Sequence, residues 1–213
     1  MKANFFCVRH AESMGNVADQ LYKSLSKDVL DMEVYFKWQH DPTLHDALLS
    51  PKGMTQTECQ SARLNGIKLH PTVLVSPLRR TIQTACLLLK SHPQRPDLIL
   101  KLVPEAIEVR NESVCSQPIP KNELFKFLET QTGFEFDTRL VENETWQFRI
   151  LENAQKRQTL LDMAATDGIE AAQKYIVTHS NEKERSCFEP DGDLYLRTRA
   201  LAHICQMEVD SAD

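Results

Sequence analysis

The stretch from residue 71 to residue 91, "PTVLVSPLRRTIQTACLLLKS", decides the fold. Residues 71–76 (PTVLVS) form a short apolar run, the pattern of a strand buried on both faces. Ser76 and Pro77 then have the chemistry of a helix N-cap and first helical position. Leu78, Ile82, Ala85 and Leu89 recur at helical spacing and give the following helix one buried face. The unit is therefore a strand, a tight turn and a helix.

Working outward, the same grammar recurs. Residues 4–8 (NFFCV), 98–103 (LILKLV) and 175–178 (YIVT) read as further buried strands. "SPKGMTQTECQSARLNGIKL" opens a second helix with Ser50 as cap and Pro51 at its first position. Strands alternating with helices imply right-handed crossovers and parallel pairing. The expected fold is α/β, a three-layer α/β/α sandwich around a mostly parallel central sheet. One domain spans 1–213, with cap or loop insertions at about 17–45 and 109–150. The second of these is irregular, with Pro118, Pro120 and the acidic "LVENETW".

Composition narrows the function. The 213 residues suffice for one α/β domain with a cap. A net charge of −5 gives no bulk attraction to nucleic acid or an anionic membrane, so an anion site must come from clustered Arg. No window reaches the roughly 18 apolar residues of a membrane span, and Arg9 and His10 cut the N-terminal apolar run below signal-peptide length. The six cysteines lack zinc-knuckle spacing and fit free thiols in a reducing compartment, which makes the cytoplasm the expected location.

Ligands of open α/β sheets sit at the carboxyl ends of strands. The first expected strand runs into Arg9, His10, Ser13 and Asn16. The second runs into Ser76, Arg79 and Arg80, and the last into Thr178, His179 and Ser180. Acids Glu105 and Glu108 follow the third. Imidazoles, guanidiniums and a carboxyl group on one rim suit phosphoryl transfer, since Arg forks hold phosphate oxygens in pairs and helix starts favour anions.

"VRHAESMGN" followed by "VSPLRRTIQTA" resembles the histidine phosphatase superfamily, in its phosphoglycerate-mutase-like branch. "DALLSPKGMTQ" between them is similar to that family's run into its first crossover helix. The resemblance implies that His10 is the nucleophile that becomes phosphohistidine, held neutral by adjacent guanidiniums. It implies that Arg9, Asn16 and Arg80 grip the phosphoryl oxygens, that Glu108 is the general acid with Glu105 as competitor, and that His179 is the second catalytic imidazole. No metal and no cofactor are implied. The substrate would be a small phosphorylated metabolite, with no nucleic-acid or membrane partner.

Two departures stand out. Ala11 replaces the glycine of the family's Arg-His-Gly turn. In the family an acidic, Arg-bearing helix precedes the last strand, whereas here "FEPDGDLYLRTRALAHICQM" follows His179. Either "KYIVTHS" is the terminal catalytic strand, or the usual final strand is missing and the chain is truncated or impaired. The expected activity is a phosphohydrolase. A mutase is disfavoured because "IEVRNESV" lacks the Glu-Arg-His-Tyr-Gly run of phosphoglycerate mutases. A non-catalytic phosphate- or phosphopeptide-binding module is the remaining alternative.

Overall fold

The computed structural model describes residues 6–25, 38, 40–107, 114–149 and 154–179. In chain order the helices are α1 (Met14–Leu25), α2 (Pro51–Leu64), α3 (Arg79–Leu89), α4 (Lys121–Glu129), α5 (Trp146–Arg149), α6 (Ala154–Thr166) and α7 (Ile169–His179). Strands β1 (Thr72–Val75), β2 (Ile99–Leu102) and β3 (Glu135–Asp137) lie between them. They form one sheet in the order β1-β2-β3, with Val73 opposite Leu100 and Leu100 opposite Phe136, and both pairs are parallel. A parallel pair needs a crossover, and α3 and α4 lie in the two connections. The chain is thus α/β with a parallel sheet, as its alternating pattern predicts.

The core lies between these helices and the sheet. Ile82 of α3, Leu100 and Leu102 of β2 and Leu124 of α4 are fully buried in one cluster with Leu78, Leu89, Ile119, Val141 and Trp146. Burying each such side chain stabilises the fold by about 1.5–3 kcal/mol. Leu78, Ile82 and Leu89 are the face that the helical spacing marked, with Ala85 packed partly buried beside them.

The structure revises four sequence expectations. Phe6, Cys7 and Val8 belong to no strand, and Phe6 and Val8 are exposed; Asn4 and Phe5 lie outside the described residues. An apolar run this short specifies a strand only where a sheet edge pairs with it. The stretch 109–150 supplies α4, the third strand and the core residues Ile119, Leu124, Leu128, Val141 and Trp146, so its described part is structural and not irregular. The residues that punctuate it, Pro118 and Pro120, simply precede α4, where a proline is tolerated.

Residues 175–178 are helical and end α7. Their β-branched content predicts a strand, but Ala172 and Tyr175 sit on a helical face that packs with Leu160, Leu161 and Met163 of α6. Tertiary packing outweighs local propensity here, and Gly168, at φ 90, turns the chain between the two helices.

The fourth revision concerns helix starts. Ser50 caps α2 as expected, its Oγ accepting from the Gly53 N–H at 3.0 Å. Helix α3 starts two residues later than "SP" suggests, with Leu78 at the cap position and no side-chain cap of its own. Asp46 supplies that cap from a distant loop: its Oδ1 accepts from the Arg79 N–H at 3.0 Å.

Candidate functional site

The turn carrying Arg9 and His10 is seated by backbone pairing. Ser13 and Leu49 form an antiparallel bridge, the Met14 N–H donates to the Leu48 carbonyl at 2.9 Å, and the Ser50 N–H donates to the Glu12 carbonyl at 2.9 Å. Gly53 makes this approach possible, because a Cβ there would lie 2.0 Å from the Glu12 oxygen. The Glu12 carboxylate accepts from Ser50 Oγ at 2.7 Å and Lys52 Nζ at 2.9 Å, and the Lys52 and Ser50 bonds hold it below the usual Glu range. Glu12 is therefore an anion, unsuited to be a general acid near neutral pH.

A small cavity of about 240 Å³ opens beside this turn, lined by Arg9, His10, Ala11, Glu12, Asn16, Asp19 and Gln20. Arg9 is exposed and His10 half-buried. His10 Nδ1 lies 2.7 Å from the Ala11 carbonyl oxygen. A carbonyl can only accept, so Nδ1 carries a proton; in the neutral form of the ring the lone pair is then on Nε2. Asn16, in the first turn of α1, accepts through Oδ1 from both the Ser13 N–H and Ser13 Oγ at 3.0 Å. These two bonds fix its amide orientation, with Oδ1 turned to Ser13.

Arg80 is the second residue of α3 and 2% exposed. Its Nη1 donates to the Cys115 carbonyl at 2.6 Å. Two contacts tie it to the His10 turn. The Ala11 N–H donates to Thr84 Oγ1 at 3.2 Å, and that hydroxyl donates to the Arg80 carbonyl at 2.8 Å. Cys115 also packs on Gly15, where a Cβ would meet its Sγ at 2.8 Å. Arg80 is not among the residues lining the cavity; of its partners, Thr84 bonds the Ala11 N–H of the lining and Cys115 packs on Gly15.

Arg79 is no solvated helix-start residue. Its Nε donates to the Asp46 carbonyl at 3.0 Å and its Nη2 to the His45 carbonyl at 2.6 Å. Glu108 lies outside the described residues. Glu105 follows β2 in a short 3₁₀ turn, with a buried Oε2 that has no hydrogen-bond partner among the described residues. His179 ends α7 and not a strand. Among the described residues no group of three or more His, Cys, Asp or Glu could hold a metal ion, and no helix is long and apolar enough to cross a membrane.

Two other histidine and arginine features are structural. His92 is buried, with Nε2 3.1 Å from both the Leu64 and Ile67 carbonyls and Nδ1 accepting from the Gln94 N–H at 3.2 Å. The 430 Å³ cavity around Arg95 precedes β2, away from the strand ends that carry Arg80. There Arg95 is committed to the Gly133 and Lys90 carbonyls and stacks 5.1 Å from the Phe134 ring.

Sequence reasoning missed Asp46, Thr84 and Cys115 as supports. Thr84 had a usable signal, since it lies four residues after Arg80 on one helix face. Asp46 and Cys115 come from remote loops, which no local spacing reveals.

In this α/β chain, Arg9, His10 and Asn16 line one cavity. Residues 36–109 match the family model of the histidine phosphatase superfamily (branch 1), which bears out the resemblance carried by "DALLSPKGMTQ" and "VSPLRRTIQTA". The match supports activity of the phosphatase or mutase type. No curated protein and no solved structure matches the chain.

Proposed function

We propose that the protein is a phosphohydrolase that removes the phosphoryl group of a small phosphorylated metabolite through a phosphohistidine at His10. The single observation that carries this reading is that His10, whose Nδ1 lies 2.7 Å from the Ala11 carbonyl, lines one cavity with Arg9 and Asn16. Nε2 attacks phosphorus as the ester P–O bond breaks, and the leaving alkoxide takes a proton from a carboxylic acid. Glu108 is assigned as that acid, with Glu105 as the alternative. Water then attacks the phosphohistidine, gives its proton to the same carboxylate, and releases inorganic phosphate with His10 restored. Arg9, Arg80 and the Asn16 amide neutralise charge on the equatorial oxygens. His179 is assigned as the second imidazole. The chain would act in the cytoplasm, without a nucleic-acid or membrane partner.

One observation favours a second reading. Among the described residues lining the cavity, His10 is the one imidazole. A site with that composition would suit a module that binds a phosphate or phosphopeptide without turning it over.

Hydrolysis of p-nitrophenyl phosphate in EDTA separates the two. A phosphohydrolase loses turnover by roughly 10³-fold or more in His10→Ala. Equal rates for the parent and His10→Ala reject phosphohistidine catalysis. Binding of inorganic phosphate by a parent that shows no turnover identifies the module. His179→Ala tests the second imidazole in the same assay.

A further inference from the structure

Asp46 is fully buried, yet its Oδ2 has no hydrogen-bond partner among the described residues. Its backbone has φ 43, the left-handed region that L-residues adopt at a cost when the surroundings impose it. What imposes it is a set of three attachments. Oδ1 accepts from the Arg79 N–H at 3.0 Å, the Asp46 carbonyl accepts from Arg79 Nε at 3.0 Å, and the Asp46 N–H donates to the Val114 carbonyl at 3.0 Å. The next residue in each attached segment belongs to the candidate site. Arg80 follows Arg79, and Cys115, whose carbonyl holds Arg80 Nη1 at 2.6 Å, follows Val114.

We propose that Asp46 is a positioning residue for anion binding: its buried carboxyl fixes the start of α3, its backbone N–H holds the turn at 114–116, and together they set the Arg80 guanidinium. This role rests on the reading of Arg80 as a phosphate ligand. The ionised carboxylate performs it best, because its negative charge attracts the Arg79 guanidinium, whose Nε lies 3.8 Å from Oδ2. Burial raises the Asp46 carboxyl to about 7 against the pull of Arg79 and Arg80, so its proton state changes near neutral pH. The other ionisable groups near it are His45, which burial holds below the usual imidazole value, and Glu123, which faces His45. Burial moves the His45 proton equilibrium to lower pH and that of Asp46 to higher pH, so the two groups shift in opposite directions.

The test uses inorganic sulfate, a tetrahedral dianion that does not titrate near neutrality, with affinity measured calorimetrically for the parent and Asp46→Asn. Any change in His10 charge affects both proteins, so it cancels in the ratio of their affinities. The expected ratio favours the parent by roughly 5- to 20-fold at about pH 8.5, the ordinary span of coupling between sites, and falls towards one at about pH 6. A ratio that stays constant across this range marks a purely structural loss and overturns the proposal. A ratio near one throughout, or tighter binding by Asp46→Asn, overturns it as well. Failure of sulfate to bind the parent overturns the phosphate site itself, and the role of Asp46 with it. If Asp46→Asn does not fold, Arg79→Gln serves. Removing the nearest cation raises the Asp46 midpoint further, so affinity drops near pH 7.5 and recovers by about pH 9; a pH-independent change overturns the proposal.

Discussion

The Ala11 amide and the Thr84 hydroxyl meet at 3.2 Å, and this contact joins the His10 turn to the helix that carries Arg80. Thr84→Val keeps the shape and removes the acceptor, so the half-buried Ala11 N–H loses its partner. Leaving such a donor unpaired costs about 1–3 kcal/mol. Urea denaturation should show that loss, with a weaker affinity for inorganic phosphate alongside it. Thr84→Ser, which restores the hydroxyl, should recover most of the affinity. An unchanged affinity in folded Thr84→Val would disconnect this contact from the site.

Gly53 and Gly66 lie in or just beyond α2, yet their surroundings differ completely. A Cβ at Gly53 would lie 2.0 Å from a backbone oxygen of Glu12, whereas one at Gly66 would meet nothing within 4 Å. Gly53→Ala must push the His10 turn off α2, at a cost on the order of 1–3 kcal/mol or more. Gly66→Ala should be neutral or mildly stabilising, by up to ~1 kcal/mol, through the unfolded chain. Chemical denaturation of the two variants checks the contrast, and activity should fall in Gly53→Ala alone.

Burial pushes the Cys86 thiol up to about 12, while Cys7 and Cys59 are exposed. The thiolate is the reacting form, so Cys86 should resist iodoacetamide at mildly alkaline pH while Cys7 and Cys59 are modified. Peptide mass spectrometry of native and urea-unfolded protein reads this directly. Cys86 should label only after unfolding.

Local chemistry made much of the fold legible. The run Thr72–Val75, the apolar spacing along α3 and the Ser50–Pro51 start of α2 each contain their own cause within a few residues, and each appears in the structure. Expectations failed where a distant segment decides the outcome. Residues 175–178 are helical because α6 offers a packing face, and α3 begins at Arg79 because a carboxyl from another loop meets its first N–H. The site divides the same way. Arg9, His10 and Asn16 were picked from one short stretch of sequence, and all three line one cavity. The supports of Arg80 were not, since Cys115 and Asp46 lie 35 and 34 residues from it in opposite directions along the chain.

The buried Asp46 carboxyl also predicts how stability varies with pH. Its value rises from 3.8 to about 7 in the folded protein, mainly through burial. A group raised in this way binds more protons when folded, so its contribution is fully present below about pH 4 and is lost as pH climbs through 7. Glu12, Asp41 and Asp137 act oppositely: hydrogen bonds hold their carboxylates low, so their contributions are lost in acid. Subtracting the Asp46→Asn unfolding free energy from that of the parent at each pH removes those shared terms. The difference should favour the parent most near pH 4 and decline steadily until about pH 7.5, then level off. A flat difference across that window would mean that Asp46 ionises as an ordinary carboxyl, with its charge compensated inside the fold.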